Sequence, residues 1–197
     1  MTTPASRVLT ALLLAGAVVA SATACGGAQP AEPSSSAGAT ASPTPGGSTS
    51  APSAGATPID IDCTTLLTPE ALYEINPNYS ANAEYSPAAG GTARDQVGDG
   101  GLACGWINQT SGSTLEVSVS NPGEGRATEL KDAFAADSTA VPAFGTPPVE
   151  GFFEMNGAVG EAQVFSGPYW LTAVSTDFVE AGDAAPVVEA ALAALEQ

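Results

Sequence analysis

The amino-acid sequence predicts an α+β fold: a single antiparallel sheet of about five strands with helices packed on one face, in the order α-β-β-α-β-β-β-α. Three observations lead there. Runs rich in Val, Ile, Phe, Tyr and Trp are separated by a few turn-forming residues, which favours antiparallel neighbours. Apolar residues at helical spacing occur at the start, the middle and the end of the same region. That region, Ile59 to Gln197, is long enough to bury one core and too short for two.

The first helix is predicted from Thr68, a good N-cap, through Pro69 at the first helical position and Glu70 at the positive helix end, to about Ile75 before Pro77. Residues 77–101 are rich in Asn, Pro, Gly and Ala and read as a long irregular connection. Leu102 to Asn108 reads as a strand carrying Cys104 and Trp106. Thr114 to Ser120 alternates, with Leu115, Val117 and Val119 on one face. Asn121-Pro122-Gly123 breaks the pattern, and Arg126 to Ala136 reads as a helix burying Leu130 and Phe134. Three strands follow, near Pro148–Phe153, near Ala158–Phe165 and at Tyr169–Thr176, the last two divided by the turn signal Gly167-Pro168. The closing helix starts near Ala184, with Pro186 in its first turn and Val188, Leu192 and Leu195 on one face.

Ahead of this domain the composition changes. Residues 26–58 are almost wholly Gly, Ala, Ser, Thr and Pro, with Gln29 and Glu32, and hold nothing that seeds a core. They read as a disordered tether spanning about 30 Å root-mean-square, with a Ser/Thr/Pro mix that permits O-glycosylation. Further upstream, Arg7 precedes the 13-residue apolar run Val8 to Ala20. The small residues Ser21 to Ala24 follow, then Cys25. This is the pattern of an export signal over residues 1–24, and its apolar run is short for a spanning helix, which needs about 20 residues. Ala-Cys followed by Gly26-Gly27 resembles the bacterial lipobox, with Ala22 where Leu is usual. The resemblance implies diacylglycerol on the Cys25 sulfur, a further acyl chain such as palmitate, and a domain held at the extracytoplasmic face of a cell membrane. Two acyl chains hold firmly where one holds marginally.

Charge and cysteine count narrow the function classes. Asp plus Glu number 21 against 4 Lys plus Arg. So acidic a surface repels phosphate backbones, which argues against nucleic acid as a partner, and it repels anionic headgroups, so the domain should stand off the bilayer. The chain has no histidine, which removes His-based triads and His-containing zinc sites. Of the three cysteines, Cys25 is the lipid acceptor, and Cys63 and Cys104 are expected to pair in an oxidising compartment.

Cys63-Thr-Thr-Leu66-Leu67-Thr68-Pro69-Glu70, followed by Cys104-Gly-Trp106 and preceded by the lipobox and tether, resembles a group of actinobacterial lipoproteins of unknown function. The resemblance covers roughly the whole domain. It implies an envelope location and a disulfide-pinned α+β domain, and carries over no catalytic residue.

No motif points to catalysis. Cys63 and Cys104 lie far apart without a neighbouring base, which suits a structural bridge. Asp95-Gln-Val-Gly-Asp99-Gly lacks calcium-loop spacing. Lys131 stands among Glu129 and Asp132 as a solvated charge, and carboxylate pairs are inevitable in so acidic a chain. The expectation is therefore a non-enzymatic binding or accessory module, without cofactor or metal, that meets a protein, a wall component or a small ligand. A carboxylate-dependent hydrolase of envelope polymers is the alternative. Trp106 is expected to pack on the disulfide. Adjacent Tyr169 and Trp170 point to opposite sheet faces, one to the core and one toward the surface, and are the candidate partner contacts.

Overall fold

The computed structural model of the protein describes residues 51–138 and 140–197. The predicted export segment, Cys25 and most of the tether lie outside the described residues. The domain is α+β, with one antiparallel sheet of six strands in the order β1-β2-β3-β6-β5-β4. The strands are β1 (Tyr79–Ala81), β2 (Leu102–Asn108), β3 (Thr114–Ser120), β4 (Glu150–Asn156), β5 (Val159–Ser166) and β6 (Tyr169–Ser175). The helices are α1 (Cys63–Leu66), α2 (Pro69–Ile75), α3 (Thr92–Gly98), α4 (Glu124–Asp137) and α5 (Ala181–Leu195).

Local chemistry sets the helix starts. The Asp62 side chain accepts from Thr65 N (2.7 Å) and Thr64 Oγ1 (2.8 Å) at the head of α1, and these bonds hold its carboxyl below the usual range. Thr68 accepts from Ala71 N (3.2 Å), with Pro69 at the first position of α2. Glu180 and Asp183 form a reciprocal capping box on α5. Pro186 thus lies inside α5 rather than in its first turn.

Strand register sorts the side chains onto two faces. On the disulfide face, Cys104, Trp106, Leu115, Val117, Val119, Ala162, Val164, Leu171 and Ala173 pack with Leu66 and Leu67 and with Ala184, Val187, Val188 and Ala191 of α5. On the other face, Phe152, Phe165 and Trp170 pack with Leu130 and Phe134 of α4. Phe165 and Trp170 stack at 6.2 Å with planes 4° apart.

Three expectations are corrected here. The sheet has six strands where about five were expected, and α1, β1 and α3 are additions to the expected order. Helices cover both faces of the sheet: α1, α2 and α5 one, α3 and α4 the other. The continuous buried runs Ala162–Phe165 and Trp170–Ala173 are the reason, because a strand buried on both sides needs cover on both sides. The connection over 77–101 is also not irregular throughout, since it supplies β1 and α3. Tyr79 of β1 donates its hydroxyl to Asp177 Oδ2 (2.6 Å), and burial together with that bond pushes its pKa up to about 12. α3 buries only Ala93 and Gln96, three apart and one of them polar, so no apolar period marks it. Val97 faces outward.

Ordered contacts begin before Ile59, the expected domain start. Ser53 N donates to Asp99 Oδ1 (2.7 Å), and Thr57 N to the Asn121 carbonyl (2.9 Å).

Two polar groups under α3 and α4 share one acceptor. Gln163, 1% exposed, accepts at Oε1 from Trp170 Nε1 (2.6 Å) and Thr172 Oγ1 (2.9 Å). Gln163→Leu strands both donors and should cost about 2 kcal/mol, read as a lowered urea midpoint.

Candidate functional site

α1 and α2 on one side and α5 on the other enclose an open groove of about 540 Å³. The sequence makes this groove in two ways. α5 presents three small side chains there, Ala190, Ala193 and Ala194, spaced to share one face, with Pro186 and Glu189 beside them. α2 presents Ala71 and Ile75, one turn apart, and Leu66 of α1 closes the floor at 1% exposed. Two walls of short side chains leave room that larger ones would fill. Glu74 of α2 and Glu189 of α5 are exposed and bring one carboxylate to the groove from each wall. The volume is in the range of small-ligand sites. The groove lies between helices and is not floored by the sheet.

A second polar constellation lies on the α3/α4 face. Register places Glu116 of β3, Val174 of β6, Glu161 of β5 and Glu154 of β4 in one row across the sheet. Glu161 and Glu154 are directly opposite, so their Cβ atoms are about 5 Å apart. Tyr85 lies over Gly105, where a Cβ would come within 2.3 Å of its ring, and donates its hydroxyl to Glu116 Oε2 (2.7 Å). Burial, then that bond, raises the Tyr85 pKa. Glu161 accepts from Gln163 Nε2, and Thr92 at the start of α3 is a further hydrogen-bond partner. Burial is the main cause that lifts the Glu161 pKa above its ordinary value, and the charges of Glu154 and Glu116 add to it.

The raised pKa fixes a sign. The native state favours protonated Glu161, so this contribution to stability is full below the ordinary value of 4.5 and is lost as pH rises through the higher native value. Glu161→Gln should therefore raise the melting temperature at pH 7. The gain should shrink toward zero below pH 4.5, as followed by thermal melts across pH.

Cys63 and Cys104 are bonded to each other, with Cα atoms 5.6 Å apart. Cys104 and Trp106 lie in one core cluster, Trp106 at 4% exposed. Of the pair Tyr169 and Trp170, Trp170 is the more deeply buried member, 4% exposed, and its indole N–H donates to Gln163 Oε1. Tyr169, half-buried, packs against the disulfide-face core. No protein-family model, curated protein or solved structure matches the chain. The groove and the carboxylate row therefore stand on their own geometry. Among the described residues no helix is long and apolar enough to cross a membrane, and no three His, Cys, Asp or Glu are grouped to hold a metal ion.

Sequence reasoning passed over Glu74, Glu189, Glu161 and Tyr85. Glu74 and Glu189 are ordinary exposed helix acids until two helices face each other. Glu161 carried a signal, a lone acid beside the buried run Ala162–Phe165. Tyr85 lay in a segment with no periodicity.

Proposed function

We propose that this protein is a lipid-anchored, non-catalytic binding module at the extracytoplasmic face of a cell membrane, with diacylglycerol on Cys25, and that the groove between α2 and α5 is where it holds its ligand. One observation carries the ligand part: the groove combines an apolar floor with a small set of polar groups on its walls, the usual make-up of a small-ligand site. The anchor rests on the signal pattern ending at Ala24-Cys25. The resemblance to actinobacterial lipoproteins supports the same address, and the Cys63–Cys104 bridge suits an oxidising compartment.

The second reading is a carboxylate-dependent hydrolase, and the opposed pair Glu161 and Glu154 favours it, one of the two with a raised pKa. Binding is preferred because Glu154 is exposed on the sheet-edge strand β4 and this pair is outside the groove.

Mass spectrometry of the native protein tests the anchor. Diacylglycerol on an N-terminal Cys25 supports it, and an unmodified mature start rejects it. Turnover of cell-wall polymers that vanishes in Glu161→Gln would replace the binding reading with the hydrolytic one.

A further inference from the structure

We propose that the α2–α5 groove accepts a small soluble organic cation with an apolar body, of the alkylammonium type, its charge between Glu74 and Glu189 and its body on Leu66, Ile75 and Ala190. The inference rests on the groove being the ligand site and adds the chemical class of the ligand. Charge complementarity carries it. The groove has a carboxylate on each wall and no Lys or Arg among its lining residues. Among the described residues the ion pairs are Arg126–Glu129 and Lys131–Glu150, both made by α4 on the opposite side of the sheet. The third base, Arg94, belongs to α3 on that same side. Among the described residues all three bases thus belong to helices of the opposite side, in a segment, residues 51–197, that carries 20 acids (21 less Glu32) and 3 bases (4 less Arg7). An anionic ligand would meet repulsion from both walls and from the field of the whole domain. A neutral apolar ligand would leave two carboxylates beside it partly dehydrated without a counter-charge. A cation with an apolar tail satisfies both walls and floor. A volume of about 540 Å³ suits a ligand of small-molecule size.

The test is an amide-resolved NMR titration of the full chain carrying Cys25→Ser, so that no attached lipid competes, with octyltrimethylammonium, octanoate and octanol below micelle formation. Octyltrimethylammonium should saturate shifts at amides of residues 71–75 and 189–194. The octanoate titration should leave those amides unmoved, and octanol should bind them far more weakly. Each of Glu74→Gln and Glu189→Gln should weaken binding about fivefold, and added salt should weaken it further. Ala190→Trp fills the groove at a partly exposed position and should abolish the shifts with the melting temperature retained. If octanoate or octanol saturates the same amides as tightly, and Ala190→Trp blocks it, the groove remains a ligand site and the cationic class is wrong. If no amphiphile moves those amides, both readings fall. Shifts that survive Ala190→Trp, or an affinity that neither glutamine variant lowers, overturn the proposal. So does saturation by a lysine-rich peptide where octyltrimethylammonium does nothing.

Discussion

Replacing Cys63 and Cys104 together by alanine should lower the stability of the domain by about 4 kcal/mol, the chain-entropy value for a crosslink between residues 41 apart. The melting temperature should fall by roughly 10 °C. The unfolded chain gains the freedom that the bridge removed, and the folded chain loses a fixed point it cannot easily replace. α1 is four residues long, too short to persist by its own hydrogen bonds. It nevertheless delivers Leu66 and Leu67, 1% and 2% exposed, to the core under α5. The bridge holds this short turn against the buried strand β2. Because α1 and α2 also form one wall of the groove, reduction should weaken ligand uptake along with stability. Urea unfolding with and without dithiothreitol, beside the double alanine variant, separates loss of the bond from loss of side-chain packing. A midpoint that does not move in either would mean that α1 is held by packing alone.

Gly101→Ala should cost about 3 kcal/mol or more, near the upper end for overpacking. A Cβ at this position would stand 2.2 Å from the Val119 carbonyl oxygen and 2.7 Å from that of Gln96. Both are backbone atoms, one on β3 and one on α3, so no side-chain rotation makes room. α3 would have to lift from the sheet, exposing Gln96, which is fully buried and donates its Nε2 to the Trp170 carbonyl (2.8 Å). Gly98→Ala is the matched control. It lies at the end of the same helix with nothing within 4 Å of its added carbon. That substitution should be neutral or stabilising by up to about 1 kcal/mol, because alanine loses less conformational entropy. Equal urea midpoints for the two variants would contradict the close docking of α3.

The elements with strong local signals were legible without coordinates. β2 and β3 occupy the expected residues, because alternation of Cys104 and Trp106, and of Leu115, Val117 and Val119, already separates a buried face from its opposite. α2 starts where its Thr68-Pro69 cap placed it. α4 runs from Glu124 to Asp137, slightly beyond the expected span, and buries the expected Leu130. The closing helix begins earlier than expected, at Ala181. Its start is set by the Glu180–Asp183 capping box, and its buried face is mostly Ala and Val rather than Leu192 and Leu195, which are half-covered. β1 and α3 were not legible. One has three residues, and the other turns a glutamine inward. The candidate groove was invisible for the same kind of reason, since its walls are alanines and exposed acids that carry no periodic apolar signal of their own.

What the sequence by itself determined is what depends on neighbours along the chain: caps, turns, alternation, and the change of composition ahead of Ile59. What only the tertiary structure decided is what depends on residues far apart being brought together. It put helices on both faces of the sheet, lodged Trp170 of the Tyr169-Trp170 pair against Gln163, aligned Glu116, Glu161 and Glu154 in one row, and set Glu74 and Glu189 along one groove. The physical reason is that a side chain's burial, partner and charge environment are properties of the whole packed fold. Hydrophobic period records only which residues need cover, and says nothing of which helix will supply it.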